Sequence, residues 1–124
     1  AGGLRILSAI VQSVSRYVDQ GLPLDAAVAA PRFQPAMGTD PETRQRTIDL
    51  SALQMETTRK NGWSVRQVRE LTRAGFEIET NSRYGAFGRV HAIEKTDTGW
   101  FGVADLDWEG AAMGNDSAGL SCEL

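Results

Sequence analysis

Cysteine and histidine are almost missing from this sequence, which holds only Cys122 and His91. A single cysteine forms no internal disulfide, and a single histidine leaves no Cys/His cluster at zinc spacing. Basic charge is not in excess either: 13 Lys and Arg lie among 16 Asp and Glu, for a net charge of −3. No positive field exists for a phosphate backbone, so nucleic acid is not an expected partner. No apolar run approaches the roughly 18–20 residues of a membrane span, and no charged segment precedes a hydrophobic one as in a secretory leader. A membrane partner is not expected, and the compartment is left open. Internal repeats and low-complexity tracts are absent too. What is there amounts to 124 residues, 41% hydrophobic and 23% charged. That balance is near the globular average and bounds the chain at one domain or part of one.

Apolar residues at Leu7, Ile10, Val11, Val14, Tyr17 and Val18 recur at intervals of three and four, which predicts a helix from about Leu4 to Gln20 with that stripe buried. Gly21 is placed to be its left-handed cap, Leu22-Pro23-Leu24 turns the chain, and Asp25 is placed to cap a short second helix ended by Pro31. Residues 34–46 contain Pro35, Gly38 and Pro41 with no clear period, and read as a surface loop. Thr47–Leu50 and Leu53–Thr57 each alternate, and the second is the favoured strand.

The segment from Asn61 to Thr80 is the most fully specified. Ser64 and Gln67 form a capping box, Trp63 and Val68 stand at staple positions, and Val65, Val68 and Leu71 make the stripe expected to be buried. Gly75 ends that helix, and Phe76–Thr80 switches to period two with Phe76 and Ile78 inward. Arg89–Glu94 and Trp100–Ala104 then read as a hairpin around the turn Thr96-Asp97-Thr98-Gly99.

Most chemistry-bearing residues read plainly. His91 is a strand histidine, Cys122 a tail thiol, and Arg66, Arg69 and Arg73 a solvated helix face. Trp63, Trp100 and Trp108 read as core or edge anchors. Asp105, Asp107 and Glu109 followed by Gly110 imitate the start of a calcium loop. However, Asp116 stands at the twelfth position and the flanks are not helical, so a polar turn is the favoured reading. Neither metal nor cofactor is expected. Gly2 and Gly3, directly before a long helix, are different: they let backbone approach a ligand closely, at a helix start that favours negative charge.

That opening, together with Asp25-Ala26-Ala27-Val28-Ala29-Ala30-Pro31-Arg32-Phe33 and Ala104-Asp105-Leu106-Asp107, resembles the C-terminal part of the small subunit of gamma-glutamyltranspeptidases. These carry a Gly-Gly pair, a long helix, a Glu-Ala-Val-Ala-Ala-Pro-Arg-Phe-like phrase and a later Ser-Asp-Pro-Arg-like segment. The resemblance is taken over residues 1–114, with 115–124 expected to fray. It departs at Asp107, where relatives have arginine, and at Arg89-Val90-His91, where they often have Thr-Gln-Ser. It implies an α+β fold, half of the αββα sandwich of N-terminal-nucleophile hydrolases, with a small, mostly antiparallel sheet covered on one face by the two main helices. It implies that Gly2 and Gly3 are oxyanion donors for transfer or hydrolysis of gamma-glutamyl amides such as glutathione. It also implies that the threonine nucleophile lies elsewhere in a parent polypeptide, so that this chain alone is inactive and, when isolated, assembles with copies of itself. Two alternatives stand beside it: a small non-catalytic α+β binding module that dimerises, and an acylase of the same superfamily.

Overall fold

The computed structural model describes residues 3, 5–57, 62–82, 86–105 and 110–112. Trp108, Cys122 and the expected frayed tail lie outside the described residues. The order is α1 (Arg5–Val18), α2 (Leu24–Ala29), β1 (Phe33–Thr39), β2 (Arg46–Glu56), α3 (Val65–Arg73), β3 (Glu77–Asn81), β4 (Ala92–Thr96) and β5 (Gly99–Val103). The α+β class stands, but the described residues form two small sheets rather than one. A three-stranded sheet runs β1-β2-β3, and β4-β5 is a separate hairpin. The sheet is also mixed: β1 pairs antiparallel with β2, whereas β3 leaves α3 to run parallel to β2.

Helix α1 forms where expected and ends at Gly21, whose φ of +66° suits glycine. Its orientation is the reverse of expectation. Leu7, Ile10, Val11, Val14 and Val18 face outward, while Ala9, Ser13 and Arg16 are buried. The inward side is small and polar because it grips backbone. Ser8 Oγ and Gln12 Nε2 donate to the Phe33 carbonyl at 2.8 and 2.7 Å. Gln12 Oε1 accepts the Phe33 N–H, and Arg16 donates to the carbonyls of Ala30 and Pro31. Helix α2 starts after Pro23 rather than at a capping Asp25, which sits in the first turn where a carboxylate suits the helix dipole. Ala9, Val28 and Val90 form the core between these helices and the hairpin, with Ala92 and Val103 packed on it.

The expected loop at 34–46 is strand β1 plus a turn. The strand escapes notice because its buried positions are Gln34 and Ala36 instead of large apolar residues. Pro35 is tolerated because β1 is an edge strand whose register shifts between Pro35 and Ala36. At the turn Asp40 Oδ1 accepts the N–H groups of Glu42 and Thr43, which holds its carboxyl below the usual range. The two candidate strands beyond it are one continuous strand, β2.

Helix α3 begins at the expected capping box. The Ser64 N–H donates to Gln67 Oε1 at 2.9 Å, and the Gln67 N–H to Ser64 Oγ at 3.3 Å. It ends in a Schellman motif, with Gly75 N–H to Thr72 O at 3.1 Å and Phe76 N–H to Leu71 O at 3.2 Å. Its stripe is not buried: Val65 is exposed, and Val68 and Leu71 are half-buried. Phe76 is likewise exposed and Ile78 half-buried. The helix stands off the sheet across a cavity of about 520 Å³ lined by Phe33, Leu53, Met55, Trp63, Leu71 and Phe76. The hairpin turns at Asp97-Thr98 as expected, though β4 starts at Ala92, leaving His91 exposed before it.

Candidate functional site

Gly2 lies outside the described residues. Gly3 is exposed at φ +49°, and its carbonyl accepts the Ile6 N–H at 3.2 Å, so it opens the first turn of α1. Linked to that turn through Gly88 is a buried ion pair. Arg32 Nη1 lies 2.6 Å from Asp105 Oδ2, and both side chains are almost wholly removed from solvent.

The pair joins the two phrases that stand 73 residues apart in sequence. Each charge is further satisfied, as burial demands. Arg32 Nη1 also donates to the Gly88 carbonyl and Nη2 to the Val28 carbonyl. Asp105 Oδ2 accepts the Val90 N–H at 3.3 Å. The Arg32 backbone is held as firmly. Its N–H donates to the buried carboxylate of Glu56 at 3.0 Å, and its carbonyl accepts from the Glu56 N–H and from Trp63 Nε1. Phe33 packs edge-on against Trp63 with ring centres 6.0 Å apart. Removing one charge would break this buried pair, at a cost of about 3–5 kcal/mol.

Gly88 connects this centre to the turn. A Cβ there would lie 2.9 Å from the Arg5 carbonyl oxygen and 3.1 Å from Ala9 Cβ, so only glycine lets α1 rest this closely on the strand-side backbone. The centre holds backbone in place and carries no nucleophile of its own.

Other candidate residues stay apart from it. His91 and Trp100 are exposed. Arg66 makes an exposed ion pair with Glu70, and Arg69 and Arg73 are exposed on the same helix. Asp105, the first acid of the calcium-like pattern, points into the core toward Arg32, while Asp107 and Glu109 lie outside the described residues. Among the described residues no group of His, Cys, Asp and Glu side chains could hold a metal ion. In the sequence Arg32 and Asp105 stand in separate phrases with nothing to pair them, and Glu56 and Gly88 give no signal of their own. The usable signal was an arginine inside the apolar phrase Ala29-Ala30-Pro31-Arg32-Phe33, since a charge so enclosed needs a partner.

This architecture is that of part of an N-terminal-nucleophile fold, as its likeness to solved structures shows. A gamma-glutamyltranspeptidase from Pseudomonas nitroreducens complexed with L-DON superposes with a TM-score of 0.70 at 22% identity, over 94% of this chain and 53% of that one. The T380A mutant of the Helicobacter pylori gamma-glutamyltranspeptidase gives 0.61 at 23%, over 87% and 51%. The Bacillus anthracis transpeptidase enzyme CapD gives 0.67 at 20%, over 93% and 60%. The chain therefore spans about half the length of the solved chains it matches. Among curated proteins none matches it. The chain belongs to the gamma-glutamyltranspeptidase family, whose model matches residues 1–115.

Proposed function

We propose that the chain works as the C-terminal part of an enzyme that transfers or hydrolyses gamma-glutamyl amides, supplying oxyanion donors at Gly2 and Gly3. The observation that carries this reading is the family match over residues 1–115, which includes the glycine pair and the Arg32 and Asp105 phrases. In this reading the complementary polypeptide brings the threonine nucleophile and the groups that bind the glutamyl moiety. A threonine hydroxyl becomes reactive when a nearby amine takes its proton, and its own free N-terminus can do so. The tetrahedral intermediate then places negative charge on the former carbonyl oxygen, where fixed N–H groups stabilise it. Gly3 opens the first turn of α1, and a helix start is where N–H groups favour negative charge.

This chain alone is then inactive, and the remainder of the parent covers the outward apolar side of α1. Without it, a second copy covers the same side.

The test is hydrolysis of a chromogenic gamma-glutamyl amide by the full upstream reading frame, beside this chain by itself. The long protein should turn over and lose activity on Thr→Ala at its self-cleavage point, and the short chain should be inert. A long protein that neither self-cleaves nor turns over the amide removes the reading.

A further inference from the structure

We propose that the buried Arg32–Asp105 pair is a positioning device for the glycine turn, a role that rests on the reading of Gly2 and Gly3 as oxyanion donors. Donors of this kind act only if they are fixed before charge develops on the substrate. Among the described residues, a Cβ built on Gly3 meets nothing within 4 Å, so none of their side chains packs on it. Its rigidity is that of the first turn of α1, which starts at the Gly3 carbonyl.

That turn leans on Gly88 through the Arg5 carbonyl and Ala9. The Gly88 carbonyl is in turn held by the same Arg32 nitrogen that meets Asp105, and the Val90 N–H is held by the same Asp105 oxygen. The backbone from Gly88 to Val90 is thus clamped between guanidinium and carboxylate, and the head of α1 sits on the clamp. The polar grip of Ser8, Gln12 and Arg16 on residues 30–33 fixes the helix along its length. The clamp fixes its first turn. Arg32 and Asp105 act through Gly88 and touch no substrate.

Two substitutions separate positioning from bulk stability. Asp105→Asn removes the charge but keeps an oxygen for the Val90 N–H. Gly88→Ala leaves both charges in place and pushes a methyl group against the Arg5 carbonyl. A misplacement on the order of 1 Å at such a site costs about a hundredfold in rate. In the full-length parent, with sites counted by active-site titration, both variants should lower kcat per titrated site about 10- to 100-fold. Donors used only in the transition state leave KM within about twofold. A purely structural pair would lower the number of titrated sites and leave kcat per site unchanged, and that result overturns the proposal.

Amide exchange on this chain gives a second readout that needs no activity. In Asp105→Asn, protection at Ser8, Ala9 and Ile10 should fall more than at Met37 and Ile48 in the β1–β2 ladder. Uniform loss at both places refutes the positioning role. If the wild-type parent is inert on gamma-glutamyl amides, the functional reading fails on its own, and the exchange pattern still decides whether the pair holds the turn.

Discussion

Ser13 is buried on the inner side of α1, and among the described residues its hydroxyl has no hydrogen-bond partner. A buried hydroxyl without a partner costs about 1–3 kcal/mol, so Ser13→Ala should raise stability by roughly 1 kcal/mol, read as a higher urea midpoint at constant m. A lower midpoint would mean that this oxygen is bonded after all. Tyr17 presents a titration at the same scale. Its phenol donates to Glu94 Oε1 at 2.6 Å; that bond, with desolvation and the Glu94 charge adding to it, raises the phenol above its ordinary value of 10.0. Because the folded value is raised, the bond's contribution is whole below the unfolded value near 10 and is lost as pH rises through the folded value. In ultraviolet titration the phenolate step that Tyr17→Phe removes should lie above pH 10, and loss of a step at or below 10 would contradict the bond. Neither residue was legible in sequence as what it is. Both sit on α1 among positions whose sides can be told apart only once the partner surface is known.

Local signals were most legible at the level of elements, where the partners are a few residues apart. The capping box at Ser64, the glycine ends of α1 and α3, and the Asp97-Thr98 turn each depend on neighbours in sequence, and each formed. Ser64→Ala should therefore cost about 1 kcal/mol, measured by chemical denaturation, and a neutral result would show that α3 is held by other contacts. Strand β1 was missed because its inward residues are Gln34 and Ala36. Gln34 Nε2 bonds Gln54 Oε1 and the Ala86 carbonyl, which replaces apolar packing by long-range hydrogen bonds that no period reveals. The parallel β2–β3 pairing was equally hidden, since alternation tells which residues share a face and nothing about strand direction. The Arg32–Asp105 pair belongs with these: each half lay inside a recognisable phrase, but only the closing of the hairpin against α2 brings them together.

For the molecule as a whole, the outward side of α1 is a run of exposed apolar residues. Leu7, Val11 and Val18 are each more than 60% exposed, an arrangement that monomeric proteins rarely keep along a whole helix. Sedimentation of this chain alone should show self-association that Val11→Lys weakens by tenfold or more in Kd, since about 1.4 kcal/mol suffices for that. A concentration-independent monomer would show that the stripe needs no cover. The stripe of α1 was legible as one side of a helix, but periodicity tells which residues share a side and nothing about which side the rest of the fold covers. The Arg32–Asp105 pair also has a consequence in time. The guanidinium is synthesised 73 residues ahead of its carboxylate, which at about 5–20 residues per second is roughly 4–15 s. Until Asp105 leaves the ribosome the Arg32–Asp105 pair is unmade, so the head of α1 lacks that part of its seat while the sheet is already complete. Folding of this chain is therefore expected to close from its C-terminal side, and a stalled ribosome short of Asp105 should display a nascent chain whose first helix is still open to proteases.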